Sequence, residues 1–428
     1  MKWRNQLLAL FCLFGFAALG VFYFRNWVVQ KPFGIVLFIG EGLTPSRVTV
    51  TRLYLGGADT GLAIGSMPFM ALLSNQSRDF AVPDQAAAAT ALATGTKANN
   101  RSIGLDASGK ALRNILELAK EKGRITGLVT NTKLTDATMA GFYAHTGNQE
   151  DSEEIARQLI EDKKFDVALG GGAAAFLPEG KGGSRRDGRD FLLELRRDGF
   201  DVVRSKAELE AIPGWRRPKV FGVFSNAEMA FANELASGSE QPALPDMVRR
   251  AIELLQFNPG GYLLVVDAGL MRIAAQINNG ERTLSETVEL DRAVAIAQRY
   301  VGRKSTILVT GDCGVGGLSL HGFPFRRSSG IALLGLNASG EPSITWASGP
   351  NGTRLFGAAT LAPRQSSNGP GKAKSGPNNS VQEPAAIFAL SALNTAEDVV
   401  VVGSGPGTEA LHGFMDNTSI FEIIRNGL

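Results

Sequence analysis

Six short, almost wholly apolar runs recur along the chain and constrain its fold more than any other feature: GIVLFIG (34–40), ITGLVT (125–130), DVALGG (166–171), YLLVVD (262–267), STILVTGD (305–312) and DVVVVGSG (398–405). Such runs suit strands covered on both faces, because a strand with one wet face alternates polar and apolar residues instead. Between them, residues 111–122, 152–162, 187–198 and 285–300 place apolar side chains at three- and four-residue spacing and read as amphipathic helices. Strands alternating with helices predict an α/β fold, a largely parallel sheet with crossover helices on both faces. There is no internal repeat of fixed period and no sign of a second globular domain. Residues 361–384 (LAPRQSSNGPGKAKSGPNNSVQEP) offer almost nothing to bury and read as a flexible surface insertion.

The first 30 residues differ from the rest. Residues 7–24 carry no charge, with Lys2 and Arg4 before them and Arg25 after. At about 1.5 Å per residue, a helix of that length nearly spans a bilayer core of about 30 Å. Residues 1–30 are therefore expected to be a membrane anchor, leaving 33–428 as the folded body. The leading positive charges keep the N-terminus cytoplasmic and the body extracytoplasmic, in a periplasm or outside the cell. The alternative is a signal segment cut near Ala17, Ala18 and Gly20, which would release the body as a secreted protein.

Charge and composition narrow the function. The 428 residues hold 44 Lys and Arg against 41 Asp and Glu, a formal charge of +3, so no basic excess exists to drive nucleic-acid binding. Two cysteines, Cys12 and Cys313, cannot form a disulfide framework. The three histidines, His145, His321 and His412, limit any imidazole-rich metal centre.

Several segments resemble the alkaline phosphatase family. VPDQAAAATALATGTKANNRSIGLD (82–106) is similar to the family's nucleophile segment, a valine-proline-aspartate-serine followed by an alanine- and threonine-rich helix. In family order follow GLVTNTKLTDATMAGFYAH (127–145), ALGGGAAAFLP (168–178), RRDGRDFLLEL (185–195), FNPGGYLLVVDAG (257–269), ILVTGDCG (307–314) and GPGTEALHGF (405–414). The resemblance implies a three-layer sandwich with its site at the strands' C-terminal edge. It also implies a serine that attacks phosphate monoesters, two zinc ions, a third metal that is usually magnesium, a phosphate-clamping arginine, and frequent dimer formation.

Residue by residue, this chain departs from that pattern. Gln85 stands at the nucleophile position, and a carboxamide cannot form a phosphoenzyme. Arg272, Gln276 and Asn394 occupy the first zinc site, where an arginine and two carboxamides make zinc doubtful. Glu41 and Asp312 keep the carboxylates of the second zinc site, while Cys313 replaces its histidine and is either a soft ligand or a small apolar filler. Gln149 falls at the clamp position and lacks the fork of donors suited to phosphate. The third-metal set, Glu41, Asp136, Thr138 and Asp267, keeps its oxygens through reciprocal Asp and Glu exchanges. It suits a single Mg²⁺ or Ca²⁺, or else forms a hydrogen-bonded carboxylate cluster. Arg272 either replaces the first zinc by pairing with Asp312, Glu41 or Asp267, or lies solvated at a strand exit. His145 serves as a structural group or a ligand.

The expectation is a catalytically impaired or inactive homologue. Two alternatives stand beside it. One is a working phosphatase that uses a metal-bound water. The other is a non-enzymatic module that binds an anionic small molecule through Arg272, Gln85 and Gln149 or docks a partner.

Overall fold

The apolar runs pair into one ten-stranded sheet in the computed structural model, which describes residues 2–23, 33–215, 217–235, 238–302, 304–321, 334, 342–353 and 383–428. Along the chain its strands are β1 (Gly34–Gly40), β2 (Phe69–Ser74), β3 (Ile125–Lys133), β4 (Val167–Gly171) and β5 (Asp201–Val203). They continue with β6 (Val220–Val223), β7 (Tyr262–Ala268), β8 (Thr306–Gly311), β9 (Val399–Ser404) and β10 (Phe414–Asp416). The order across the sheet is β10-β2-β9-β8-β1-β7-β3-β4-β6-β5. β1 lies at the centre, parallel to β7 on one side and β8 on the other.

Residues of β1 explain the continuous apolar run. Ile35, Leu37 and Ile39 enter one core with Leu263 and Val265 of β7, whereas Val36 and Phe38 enter a second core with Leu264 and Val266. Both faces are dry, so neither residue parity is polar. A third, smaller core around Trp346, Ile344, Val315 and Leu284 supports a four-stranded sheet built from 319–320, 344–349, 352–353 and 385–388.

Two details correct the sequence reading. The run DVVVVGSG does form a strand, β9, but it is antiparallel to both β8 and β2. Three helices also start elsewhere than their periodicity suggests, because side-chain caps fix the first turn. Asn114 accepts from the Glu117 amide (3.1 Å) and starts Ile115–Glu121; Asp190 accepts from Leu193 (2.9 Å) and starts Phe191–Arg197. Asn279 accepts from Arg282 (3.0 Å) and extends the last long helix back to Gly280–Tyr300. The helix Ser152–Asp162 matches its expected bounds.

Residues 361–382 of the expected insertion lie outside the described residues. Glu383, which was read as part of it, belongs to the body instead. It is buried and accepts from the Gly280 amide (2.7 Å) and Trp346 Nε1 (3.4 Å). At the other end, Lys2–Tyr23 is one helix, and its segment Trp3–Phe22 is long and apolar enough to cross a membrane, with none of it buried in the protein.

Candidate functional site

The central strands deliver their last residues to one place. β1 ends at Gly40 and hands on Glu41; β8 ends at Gly311 and hands on Asp312; Asp267 is the penultimate residue of β7; Asp136 follows the turn after β3. Because these four strands are neighbours and parallel, their C-terminal ends lie side by side, where open α/β sheets bind ligands.

Each acid is held differently. Asp312 Oδ1 accepts from the Gly42 amide (2.9 Å), and Asp267 Oδ2 accepts from Thr130 Oγ1 (2.7 Å) and Thr132 Oγ1 (3.4 Å). Glu41 and Asp136 are both engaged by Arg272. Its Nε donates to Glu41 Oε2, its Nη2 to Asp136 Oδ2 (2.8 Å) and its Nη1 to Gln276 Oε1 (3.4 Å). Of the two readings of Arg272, the solvated one is excluded, since the side chain is 11% exposed. Of the expected partners it pairs with Glu41, and Asp136, which was not among them, is the second carboxylate it holds. The helix Leu270–Gln276 starts directly after β7, and its first turn directs Arg272 over the end of β3.

Burial sets the protonation tendencies. It pushes the Glu41 carboxyl up to about 7 against the pull of Arg272, with Asp136 and Asp312 adding to the rise. Burial also raises Asp267 well above the carboxylate range, reinforced by Glu41 and Asp136. Burial raises Asp312 as well, opposed by the amides of Gly42 and Cys313. Arg272 moves the other way: burial alone would weaken its hold on the proton, but Asp136 and Glu41 bind the cation more strongly and raise it.

Gln85 opens the helix Gln85–Thr94, whose N-cap Asp84 accepts from the Ala87 amide (2.9 Å). Its Nε2 reaches Asn394 Oδ1 and Cys313 Sγ, each at 3.4 Å. Asn394 is brought there by a two-stranded ladder with Val315 and donates to the Pro83 carbonyl (2.9 Å). Burial, Asp312 and Glu41 all push the Cys313 thiol up, and its Sγ donates to Asp312 Oδ2 at 3.7 Å. Gln149 lines the mouth of a cavity of about 470 Å³ with Gln85, Asp136, Arg272 and Gln276. His145 lies in a structural role, its Nε2 at 2.8 Å from the Leu112 carbonyl. His412 is exposed in the turn between β9 and β10, away from the acids.

Sequence reasoning missed two groups. Lys133, Thr135, Ala137, Glu150 and Ser152 complete the cavity lining, and Thr135, Ala137 and Glu150 adjoin residues already singled out. Arg47 is fully buried beneath the site and donates to the carbonyls of Glu41 and Val315 (3.2 Å each). Burial lowers its pKa to about 10 while Glu397 and Asp312 oppose the change. An arginine inside the first helical turn after FIGEG was the available signal.

These residues do not fit the metals that the resemblance implies. Arg272, Gln276 and Asn394 give no zinc ligand set, and at the second site the Cys313 thiol is hydrogen-bonded to Asp312 in place of a histidine. At the third, Glu41 Oε1, Thr138 Oγ1 and Asp267 Oδ1 are buried without hydrogen-bond partners, but the guanidinium holds Glu41 and Asp136. Among the described residues, no group of three or more His, Cys, Asp or Glu side chains is placed to hold a metal ion.

The alkaline phosphatase family model matches residues 34–428. The tissue-nonspecific alkaline phosphatase of Gallus gallus is 30% identical, over 89% of this chain and 81% of that protein. Alkaline phosphatase 4 of Bacillus subtilis (strain 168) is 27% identical, over 92% and 89%. Among solved structures, the alkaline phosphatase of Thermus thermophilus superposes with a TM-score of 0.71 at 22% identity, covering 94% of this chain and 92% of that one. The enzyme of the Antarctic bacterium TAB5 gives 0.68 at 20% identity, covering 93% and 98%. With a sheet, a site edge and a match that all extend from β1 to the C-terminus, the chain belongs to the alkaline phosphatase family.

Proposed function

We propose that this chain is a catalytically silent or severely impaired member of its family, held at a membrane by its N-terminal helix with the body on the extracytoplasmic side. The observation that carries this reading is Gln85. Its carboxamide sits at the start of the nucleophile helix and is tied to Asn394 and Cys313, so no hydroxyl is presented where the family attacks phosphorus. Gln149 at the clamp position and Arg272 at a zinc-ligand position remove two further sources of transition-state charge stabilisation. Each such loss typically costs about 3–4 kcal/mol, so turnover near family rates is not expected.

The test is hydrolysis of a chromogenic phosphomonoester by the detergent-solubilised full chain with Zn²⁺ and Mg²⁺ added. No turnover above buffer is expected, and Gln85→Ser alone should not create any, because nothing nearby deprotonates the new hydroxyl. Turnover that disappears with chelator and with Asp136→Ala would refute the reading and point to a metal-bound water. A variant of the TAB5 enzyme has been solved with Mg bound in its M3 site, which makes Mg²⁺ the metal to include.

A further inference from the structure

Four acids converge beneath the cavity, and burying that many carboxylates without counter-charge would cost several kcal/mol for each ion. Variants of the TAB5 enzyme carry Mg bound in their M3 site. Here the geometry points to a different answer: we infer that Arg272 is the resident cation of the centre, taking the place of the third metal and closing the site to Mg²⁺. The inference shares the acid cluster with the proposed function but not its premise, which is the missing nucleophile at Gln85.

Three observations carry it. First, the guanidinium spans two carboxylates carried at the ends of different strands, with Nε on Glu41 and Nη2 on Asp136, so one cation serves both acids. A planar fork can do this with fixed geometry, where a lysine ammonium could not. Second, its remaining arm is used as well, since Nη1 reaches Gln276 Oε1. The side chain is thus committed inward and is not free to swing out to solvent. Third, Arg47, the other buried guanidinium nearby, donates to the carbonyls of Glu41 and Val315 and to no carboxylate oxygen. Among the described residues, no other arginine or lysine is paired with the side-chain oxygens of these acids. The orphaned oxygens of Glu41, Thr138 and Asp267 mark what is left of an oxygen cradle once a monovalent organic cation has replaced a compact metal.

The experiment measures metal content and thermal unfolding of the full chain, so that it reads binding rather than turnover. After dialysis against Mg²⁺, the unaltered protein is expected to hold well under one ion per chain. Its Tm should be the same in chelator as in about 10 mM Mg²⁺. Arg272→Ala should unfold earlier in chelator, take up about one Mg²⁺ per chain, and recover about 2–4 °C of Tm when the ion is added. The double variant Glu41→Gln/Arg272→Ala, which removes one charge of each sign, should regain stability without metal and keep the assay informative if the single variant does not accumulate. The inference is overturned by stoichiometric Mg²⁺ in the unaltered protein, by a Mg²⁺-dependent Tm in it, or by an Arg272→Ala chain indifferent to Mg²⁺. None of these outcomes depends on whether the chain hydrolyses a phosphate ester, so the two readings fail separately.

Discussion

Buried acids set the chemistry of this molecule at the residue scale, and not only at the site. Glu286, in the long helix Gly280–Tyr300, accepts from the Ala232 amide (2.6 Å) and from Asn131 Nδ2 (3.1 Å). Burial pushes its carboxyl from an ordinary 4.5 up to about 8, and the nearby Glu289 adds to the rise. A carboxyl with a higher pKa in the folded chain holds its proton more tightly there. Its contribution to stability is complete below the unfolded value and is lost as pH rises through the folded one. Stability is therefore expected to fall between about pH 5 and pH 8, by an amount on the order of a few kcal/mol from Glu286. Chemical denaturation across that range checks the slope, and Glu286→Gln should flatten it. An unchanged slope in that variant would assign the effect to other groups.

At the element scale, the helix Gln85–Thr94 shows how a monotonous sequence does a specific job. Every residue from Ala86 to Thr94 is buried, and the alanines let neighbouring segments approach closely. Gly141, which closes the helix Ala137–Ala140, would place a Cβ only 2.7 Å from Ala89 Cβ. This contact fixes the spacing between the segment that carries Gln85 and the one that carries Asp136. Ala89→Leu should therefore cost about 1–3 kcal/mol by overpacking, measurable as a lower denaturation midpoint with an unchanged denaturant slope. A midpoint equal to that of the unaltered chain would show that the contact is slack. The helix itself was expected from the resemblance of its alanine-rich segment, whereas the caps Asp84, Asn114 and Asp190 were located only by side-chain geometry.

For the whole molecule, the body and the N-terminal helix are separable in burial. Trp3–Phe22 exposes its apolar surface throughout, whereas the body closes two large cores, one on each side of the sheet. Removing residues 1–32 is expected to shift the chain from the membrane fraction to the soluble fraction while changing Tm by no more than about 1–2 °C. A body that aggregates or melts much earlier would show that the helix covers part of it.

Much of this architecture follows from the sequence by itself. Doubly buried strands need continuous apolar runs, so six strands were visible as such, whereas Glu41, Asp267 and Asp312 were named as site acids by the resemblance to the alkaline phosphatase family. Alternation could not give strand direction to β9, because a run that is apolar on both faces looks the same in either orientation. Nor could it settle the fate of Arg272. The partners Glu41 and Asp136 lie 231 and 136 positions away along the chain, and only the packing of the first turn after β7 against the end of β3 brings one guanidinium within reach of both. Local hydrophobic pattern is a property of short windows, whereas the pairing of buried charges depends on distances that exist only after the sheet has closed.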